Sequence, residues 1–582
     1  MQTIVELYHR RGFATAKVHT AVDVITATPP PAQVPVAVRA VIDEGVRTTV
    51  DGVTFAGNQA VAEATLRARV GLQAGAPYVP GQIAVDRDAI LLVYQDLGYE
   101  SATVDARPEF SENGTHVAVA FEIHEGPQIF VDQVLIVGNV RTASSTIERE
   151  LKVKQGDPFS LSAINESQRR LTTLGLFRRA RITELRHGTE TTRDLLVTIE
   201  EAPPTTIGYG GGVELGRVVV PPDDGGVAAE RFDVAPRVFF QIGRRNVFGK
   251  NRSVNFFSSL AFHAQDSASV TEYRVVGTFR EPRVFNTAAD AFLNTTFEQQ
   301  RRSSFNFARR SLSADIARKV TPVVSVTGSY QIQRTEVFDE RLNFEDQLLI
   351  DRTFPQVRLS SFSSSLIRDT RDDAVNPAAG GYASASGQLA GRAIGSQIGF
   401  MKSFFTAQAF RALPHTNRIV FASSARFGLA AGFPRESVDE QGNVVAGEII
   451  RDLPQSERFY AGGDTTIRGF ALDRVGSRHI PSQRGDTLDE NLLPIGGNGV
   501  VIFNAELRAP VTRALGVVGF VDAGNVFALA TDIRLNELRS AVGGGVRYKS
   551  PFGPLRFDLG FKVNRQPGEG LTAWFVSFGQ AF

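Results

Sequence analysis

The 582-residue sequence has no cysteine, two methionines and one tryptophan, and its 63 Lys and Arg are matched by 62 Asp and Glu. Without cysteine there is no disulfide, no thiol nucleophile and no Cys-ligated zinc. That lack suits an oxidising compartment as well as a reducing one. Without a basic excess there is no electrostatic footprint for a phosphate backbone, so nucleic acid is not an expected partner. No stretch approaches the roughly 18 consecutive apolar residues of a membrane-spanning helix, and mean hydropathy is −0.09. A helical membrane protein is thereby excluded. A barrel is not, because alternating strands average to a soluble-looking composition. Also missing, from Met1 to Gly12, is the basic segment and apolar core of a secretory signal. Either the protein stays inside the cell or its first residues are absent, and the repeats described next favour the second reading. The 8 His are scattered, no glycine-rich phosphate loop follows a strand, and no nucleophile elbow occurs. Neither an enzyme nor a cofactor is expected.

What is present begins with repetition. Glu44-Gly45 and Gly57-Asn58 recur as Glu125-Gly126 and Gly138-Asn139, each at an offset of 81 residues, and Gly75-Ala76-Pro77-Tyr78 recurs as Gly156-Asp157-Pro158-Phe159. A third element occurs three times, as Arg11-Gly12-Phe13, Leu97-Gly98-Tyr99 and Leu174-Gly175-Leu176. Each unit reads as strand, helix, helix, strand, strand. The helical periodicity runs through Ala62, Leu66 and Val70, then through Val85, Ala89, Leu92 and Val93. Gly98 supplies the left-handed stop. Full repeats are expected at 45–125 and 126–203, with 1–44 the back half of another. Small tandem domains with open strand edges suit strand addition by extended peptides.

From about Thr205 the texture changes to alternation, as in Val324-Ser325-Val326-Thr327-Gly328-Ser329-Tyr330-Gln331-Ile332-Gln333. A soluble sandwich alternates too. Length decides between them: at about 24 residues per strand and loop, the region supplies about sixteen antiparallel strands, an even number as outer-membrane barrels require. The chain ends on Trp574, Val576, Phe578, Gln580 and Phe582 at alternate positions, and aromatic ends suit the two interfacial girdles of such a barrel. The first strand holds Gly208, Gly210, Gly211 and Gly212, and glycine packs nothing and weakens pairing. A weak lateral seam is expected between that strand and the last, which carries Phe578, Gly579 and Phe582. Gly579 would let the last strand bend inward.

Several strings in this region carry a resemblance. They are Asn246-Val247-Phe248-Gly249-Lys250; Asp369-Thr370-Arg371-Asp372 with Pro377 and Gly380; Glu457-Arg458-Phe459-Tyr460-Ala461-Gly462-Gly463; Ile467-Arg468-Gly469-Phe470; Glu506-Leu507-Arg508; Phe520-Val521-Asp522-Ala523-Gly524; and Ser550-Pro551-Phe552-Gly553-Pro554-Leu555-Arg556-Phe557-Asp558. In this order the chain resembles the BamA/TamA superfamily of outer-membrane assembly factors. The resemblance implies α+β POTRA repeats followed by a sixteen-stranded antiparallel transmembrane β-barrel over 204–582, in the bacterial outer membrane with the repeats in the periplasm. It implies that Ile467, Arg468, Gly469 and Phe470 form the tip of a long sixth loop folded into the lumen. Phe520, Asp522 and Gly524 would then form the strand motif that receives it. The chemistry agrees, since Arg presents a planar fork that fits a carboxylate.

The implied function is insertion of unfolded outer-membrane protein clients through the seam between strands 1 and 16. The implied partners are periplasmic chaperones, accessory lipoproteins or an inner-membrane-anchored protein, and the lipid bilayer. A TamA-like barrel for translocation, assembly or lipid traffic and a two-partner secretion pore exporting polypeptide are the alternatives. A simple porin ranks last, because it needs neither the repeats nor the Arg468 loop. Asp369 to Asp372 reads as a turn rather than a metal site, for want of further ligands.

Overall fold

The computed structural model describes residues 2–24, 36–186, 191–220, 228–262, 271–342, 347–414, 416, 419–438, 444–478, 485–550, 553–566 and 569–578. The chain divides at Pro203 and Pro204 into two compact units.

In the N-terminal unit, a helix over Gln2–Arg10 precedes two antiparallel strands, Lys17–Val24 and Val36–Asp43. The next segment forms the strand Thr49–Ala56, helices Glu63–Arg67 and Pro80–Asp96, and strands Thr103–Phe110 and His116–His124. The last strand is central, parallel to the first and antiparallel to the one before it. The pattern repeats with Phe130–Val137, Ser144–Glu148, Leu161–Thr173, Phe177–Leu185 and Thr192–Glu201. Pro80 opens its helix at the position where a missing N–H costs nothing. Leu66, Ile90, Tyr94 and Phe121 fill one core, each burial worth roughly 1.5–3 kcal/mol.

The linker glutamates have a structural task that recurs. Glu125 Oε1 accepts from the Ala60 amide at 2.8 Å and from the Tyr94 hydroxyl at 3.0 Å; Glu201 Oε1 accepts from the Arg141 amide at 2.9 Å. Tyr8 bonds Glu44 likewise, and that bond raises its phenol above the ordinary value. The glycine joints recur as well. The Thr48 amide donates to the Gly12 carbonyl and the Ile129 amide to the Gly98 carbonyl, both at 2.8 Å. Gly98 has φ +87°, and a Cβ there would lie 2.5 Å from the Ile129 oxygen.

The face expected for the long helix needs correction. Val85 and Leu92 are exposed, and Asp86, Ile90 and Tyr94 are buried. The reason is Asp86, whose carboxylate accepts from the amides of Gly71 at 2.8 Å and Leu72 at 2.9 Å and from Gln82. A buried carboxylate that satisfies two orphan amides rotates the helix away from the purely apolar face.

The C-terminal unit is a closed antiparallel barrel of sixteen strands. They are β1 Thr205–Val220, β2 Ala229–Val247, β3 Arg252–Phe262, β4 Thr271–Glu281, β5 Ala289–Arg301, β6 Asn306–Lys319, β7 Val324–Phe338 and β8 Gln356–Asp369. The second half comprises β9 Gly380–Ala390, β10 Phe400–Ala412, β11 Val420–Gly432, β12 Gly499–Pro510, β13 Leu515–Phe527, β14 Arg539–Ser550, β15 Gly553–Lys562 and β16 Thr572–Phe578. The near end is the one at which β1 begins. Alternation is inverted relative to a soluble sandwich: Val521 is 52% exposed while Asp522 is 0% exposed. On β7, Val326 and Ile332 face out, and Gln333 and Thr335 are buried. Apolar residues outside and polar ones inside are the pattern of a barrel in lipid.

The two edges of β1 are paired to different strands, β2 on one side and β16 on the other. β1 pairs with β2 at every position from Thr205 to Val220, so the glycines do not thin that ladder. Gly208 and Gly210 instead make room on the inner face: a Cβ at Gly210 would lie 2.6 Å from the Phe239 ring, and one at Gly208 3.3 Å from Gln241. On the other edge, the registered pairing of β16 with β1 among the described residues is Val576 opposite Leu215. In this antiparallel register Gly208 to Gly212 lie beyond Phe578, the last described residue of β16. Gly579 and Phe582 fall outside the described residues.

Replacing Asp86 with Ala leaves the Gly71 and Leu72 amides without acceptors, and should destabilise the 45–125 segment by about 2–4 kcal/mol. Hydrogen exchange of the full chain would locate the loss, which should be concentrated at those amides.

Candidate functional site in the barrel lumen

The connection between β11 and β12 is the sixth at the far end, and its described residues 453–478 and 485–498 turn inward. Its fastenings circle the wall. Arg458 Nη2 donates to Asp351 at 2.6 Å. Glu457 accepts from Arg309 at 3.1 Å and from Gln333 at 2.8 Å, and Asp473 accepts from Arg302 at 3.1 Å.

The tip is Ile467-Arg468-Gly469-Phe470. Arg468 is 1% exposed, and its fork takes both oxygens of Asp522, Nε to Oδ2 at 2.7 Å and Nη2 to Oδ1 at 2.8 Å. The Arg468 amide also donates to Oδ2 at 3.0 Å. The guanidinium carbon stands 3.7 Å from the centre of the Phe520 ring, an electrostatically favourable stack. Gly469 has φ +113°, and a Cβ on Gly560 would lie 2.8 Å from Arg468 backbone atoms. On Gly524 a Cβ would meet the Ile467 side chain at 2.8 Å. Phe470 is buried between Arg539, at 5.0 Å, and Lys562, at 5.3 Å. The tip motif and the strand motif are therefore in contact. Of the seam residues, Gly208, Gly210, Gly211 and Gly212 lie on β1 and Phe578 on β16.

Sequence reasoning left several partners without a role. Arg468 Nη1 donates to Glu506, whose other oxygen accepts from Arg508 at 2.9 Å. Asn504 bridges Asp522 and the Thr466 carbonyl. Arg547 pairs with Asp558 at 2.7 Å, and Arg556 joins Asp464 to the Ser577 hydroxyl. The signal for them was parity. Asn504, Glu506 and Arg508 alternate with apolar residues on β12, as do Arg556 and Asp558 on β15, and in a lipid-facing barrel that spacing sends charge inward.

The turn after β8 is built from its own side chains. Asp372 Oδ1 accepts from the amides of Ala378 and Ala379. Those amides, Ala379 foremost, hold the Asp372 carboxyl below the usual carboxylate range, so this support is present at neutral pH and is lost as pH falls through the depressed value. Among the described residues no group of His, Asp and Glu is arranged to hold a metal ion.

A polar-lined, loop-filled barrel following tandem strand–helix–helix–strand–strand repeats defines an outer-membrane-type barrel of the POTRA-bearing class. The Omp85 superfamily domain matches residues 246–582, and the surface antigen variable number repeat matches 48–126 and 129–202. The chain belongs to the Omp85 superfamily. Among curated proteins it is 26% identical over 504 residues to the outer membrane protein assembly factor BamA of Nitratidesulfovibrio vulgaris, covering 84% of this chain and 56% of that protein. It is 22% identical over 519 residues to BamA of Neisseria meningitidis serogroup B, covering 83% and 60%. The chain thus spans less than two thirds of the length of these relatives. The crystal structure of BamA from Haemophilus ducreyi lacking POTRA domains 1-3 superposes with a TM-score of 0.66 at 19% identity, covering 92% of this chain and 98% of that one.

A double-mutant cycle on Arg468→Ala and Asp522→Ala should give coupling of about 2–3 kcal/mol in barrel unfolding, because either single change leaves a buried charge short of its partner. Independent effects would mean the contact is absent in the membrane. Gly560→Val should expel the tip and expose the Arg468 peptide bond to trypsin.

Proposed function

We propose that this chain is an outer-membrane protein assembly factor. It resides in the bacterial outer membrane with its POTRA repeats in the periplasm, residues 1–44 being the back half of a further repeat. The repeats receive unfolded β-barrel clients, handed over by periplasmic chaperones, and accessory lipoproteins, through open strand edges. The relatives that bear the assembly-factor name support this reading over an export pore.

The single observation that carries the mechanism is the contrast between the two edges of β1. One edge is paired along its whole length to β2, and the other is registered to β16 at Leu215 and Val576 among the described residues. An unfolded chain cannot enter lipid with its N–H and C=O groups unpaired, each costing several kcal/mol. An edge of β1 that exchanges β16 for a client strand gives those groups partners at every step, and the client leaves sideways as it folds. The activity needs no bond-making chemistry.

The test uses the absence of native cysteine. In the Leu215→Cys/Val576→Cys variant, oxidation should lock the seam and reduce client insertion into proteoliposomes to the rate of lipid alone, with recovery on reduction. Full insertion by the oxidised protein would refute lateral exchange.

A further inference from the structure

Beneath the turn after β8 lies a cleft of about 390 Å³ at the near mouth of the barrel. Its roof carries Val375 and Pro377, its wall Pro510 and Val518, and its cations are Arg508, Arg547 and Lys549. Arg547 is 7% exposed. Its Nη1 is engaged by Asp558, while Nε and Nη2 have no hydrogen-bond partner among the described residues. Glu506 faces Nη2 only at 3.8 Å, and Arg508 already holds Glu506. Asp373, the acid on the roof, turns one oxygen to the amides of Val375 and Asn376 within its own turn.

A guanidinium keeps five donors in a fixed fork, and a buried one with open donors lacks an acceptor. The missing group is an oxyanion, and the surrounding Val and Pro side chains fit one borne on an apolar body. We propose that the cleft binds a carboxylate side chain of an extended polypeptide whose neighbouring residues are apolar. This rests on the assembly reading above and names a feature of the client that the near mouth recognises. A peptide fits better than a bilayer lipid because the open donors belong to Arg547, which projects inward with Arg508 and Val518. Leu515 and Val517, which also line the cleft, project outward from β13 and form its apolar rim. The carboxylate would contact the outer end of the chain Arg508, Glu506, Arg468 and Asp522, so arrival of a client is sensed by the ions that hold the loop.

The full chain in nanodiscs is titrated by fluorescence anisotropy with two labelled decapeptides of alternating valine and serine, one with a central Asp and the other with Asn there. The Asp peptide should bind about tenfold tighter. Arg547→Gln should abolish the difference, and Lys549→Glu, on an exposed side chain outside the buried ion chain, should cut it by at least about fivefold. Equal binding of the two peptides overturns the proposal, as does undiminished discrimination by a folded Lys549→Glu protein. Displacement of the Asp peptide by phosphatidylglycerol vesicles but not by excess unlabelled Asp peptide overturns it in favour of a lipid site. Client insertion is measured on the same preparations, so equal binding of the two peptides by the unsubstituted protein with intact insertion sinks the cleft alone.

Discussion

A guanidinium removed from water must be met by carboxylate oxygens, and the interior of this barrel is arranged around that requirement at Arg468. Two acids from neighbouring strands, Asp522 and Glu506, converge on it. Because a buried ion pair is worth keeping only when its geometry is satisfied on all sides, the pair brings its supports with it. Asn504 holds Asp522, Arg508 holds Glu506, and Phe520 lies under the guanidinium. The glycines at 469, 524 and 560 exist where backbone or side chain approaches too closely for a Cβ. One charge thus accounts for much of what β12, β13 and β15 place inside.

The same constraint explains why the barrel surface reads inside out. Lipid offers no hydrogen bonds, so polar side chains and the loop that carries Arg468 are confined to the lumen, and Val and Phe face outward. Closure of the sheet satisfies backbone groups that an open edge would leave bare. Among the described residues that closure is registered between Val576 of β16 and Leu215 of β1.

Sixteen strands, the tandem repeats and the Arg468 and Asp522 strings were legible because each has a local signature: period, offset or motif. The helix face at Asp86 was not, because a buried carboxylate bonded to amides fourteen and fifteen residues away looks like an exposed residue in a periodic reading. The side chains that Gly208 and Gly210 make room for were hidden for a related reason. A strand poor in side chains suggests a weak ladder, yet the space is taken by Phe239 and Gln241 from the next strand, and the ladder to β2 is continuous. Parity could have placed Glu506, Arg508 and Asp558 in the lumen. It could not have said which of them meets Arg468, since that depends on the register between strands.

The two flanks of the seam are held unequally from within. Arg556 on β15 joins Asp464 of the lumen loop to Ser577 of β16, so β16 is tied through one guanidinium to the element that Arg468 anchors. On β1 the inner face at Gly208 and Gly210 is overlain by the β2 side chains Gln241 and Phe239. β1 is held instead by β2, to which it is bonded along its full length.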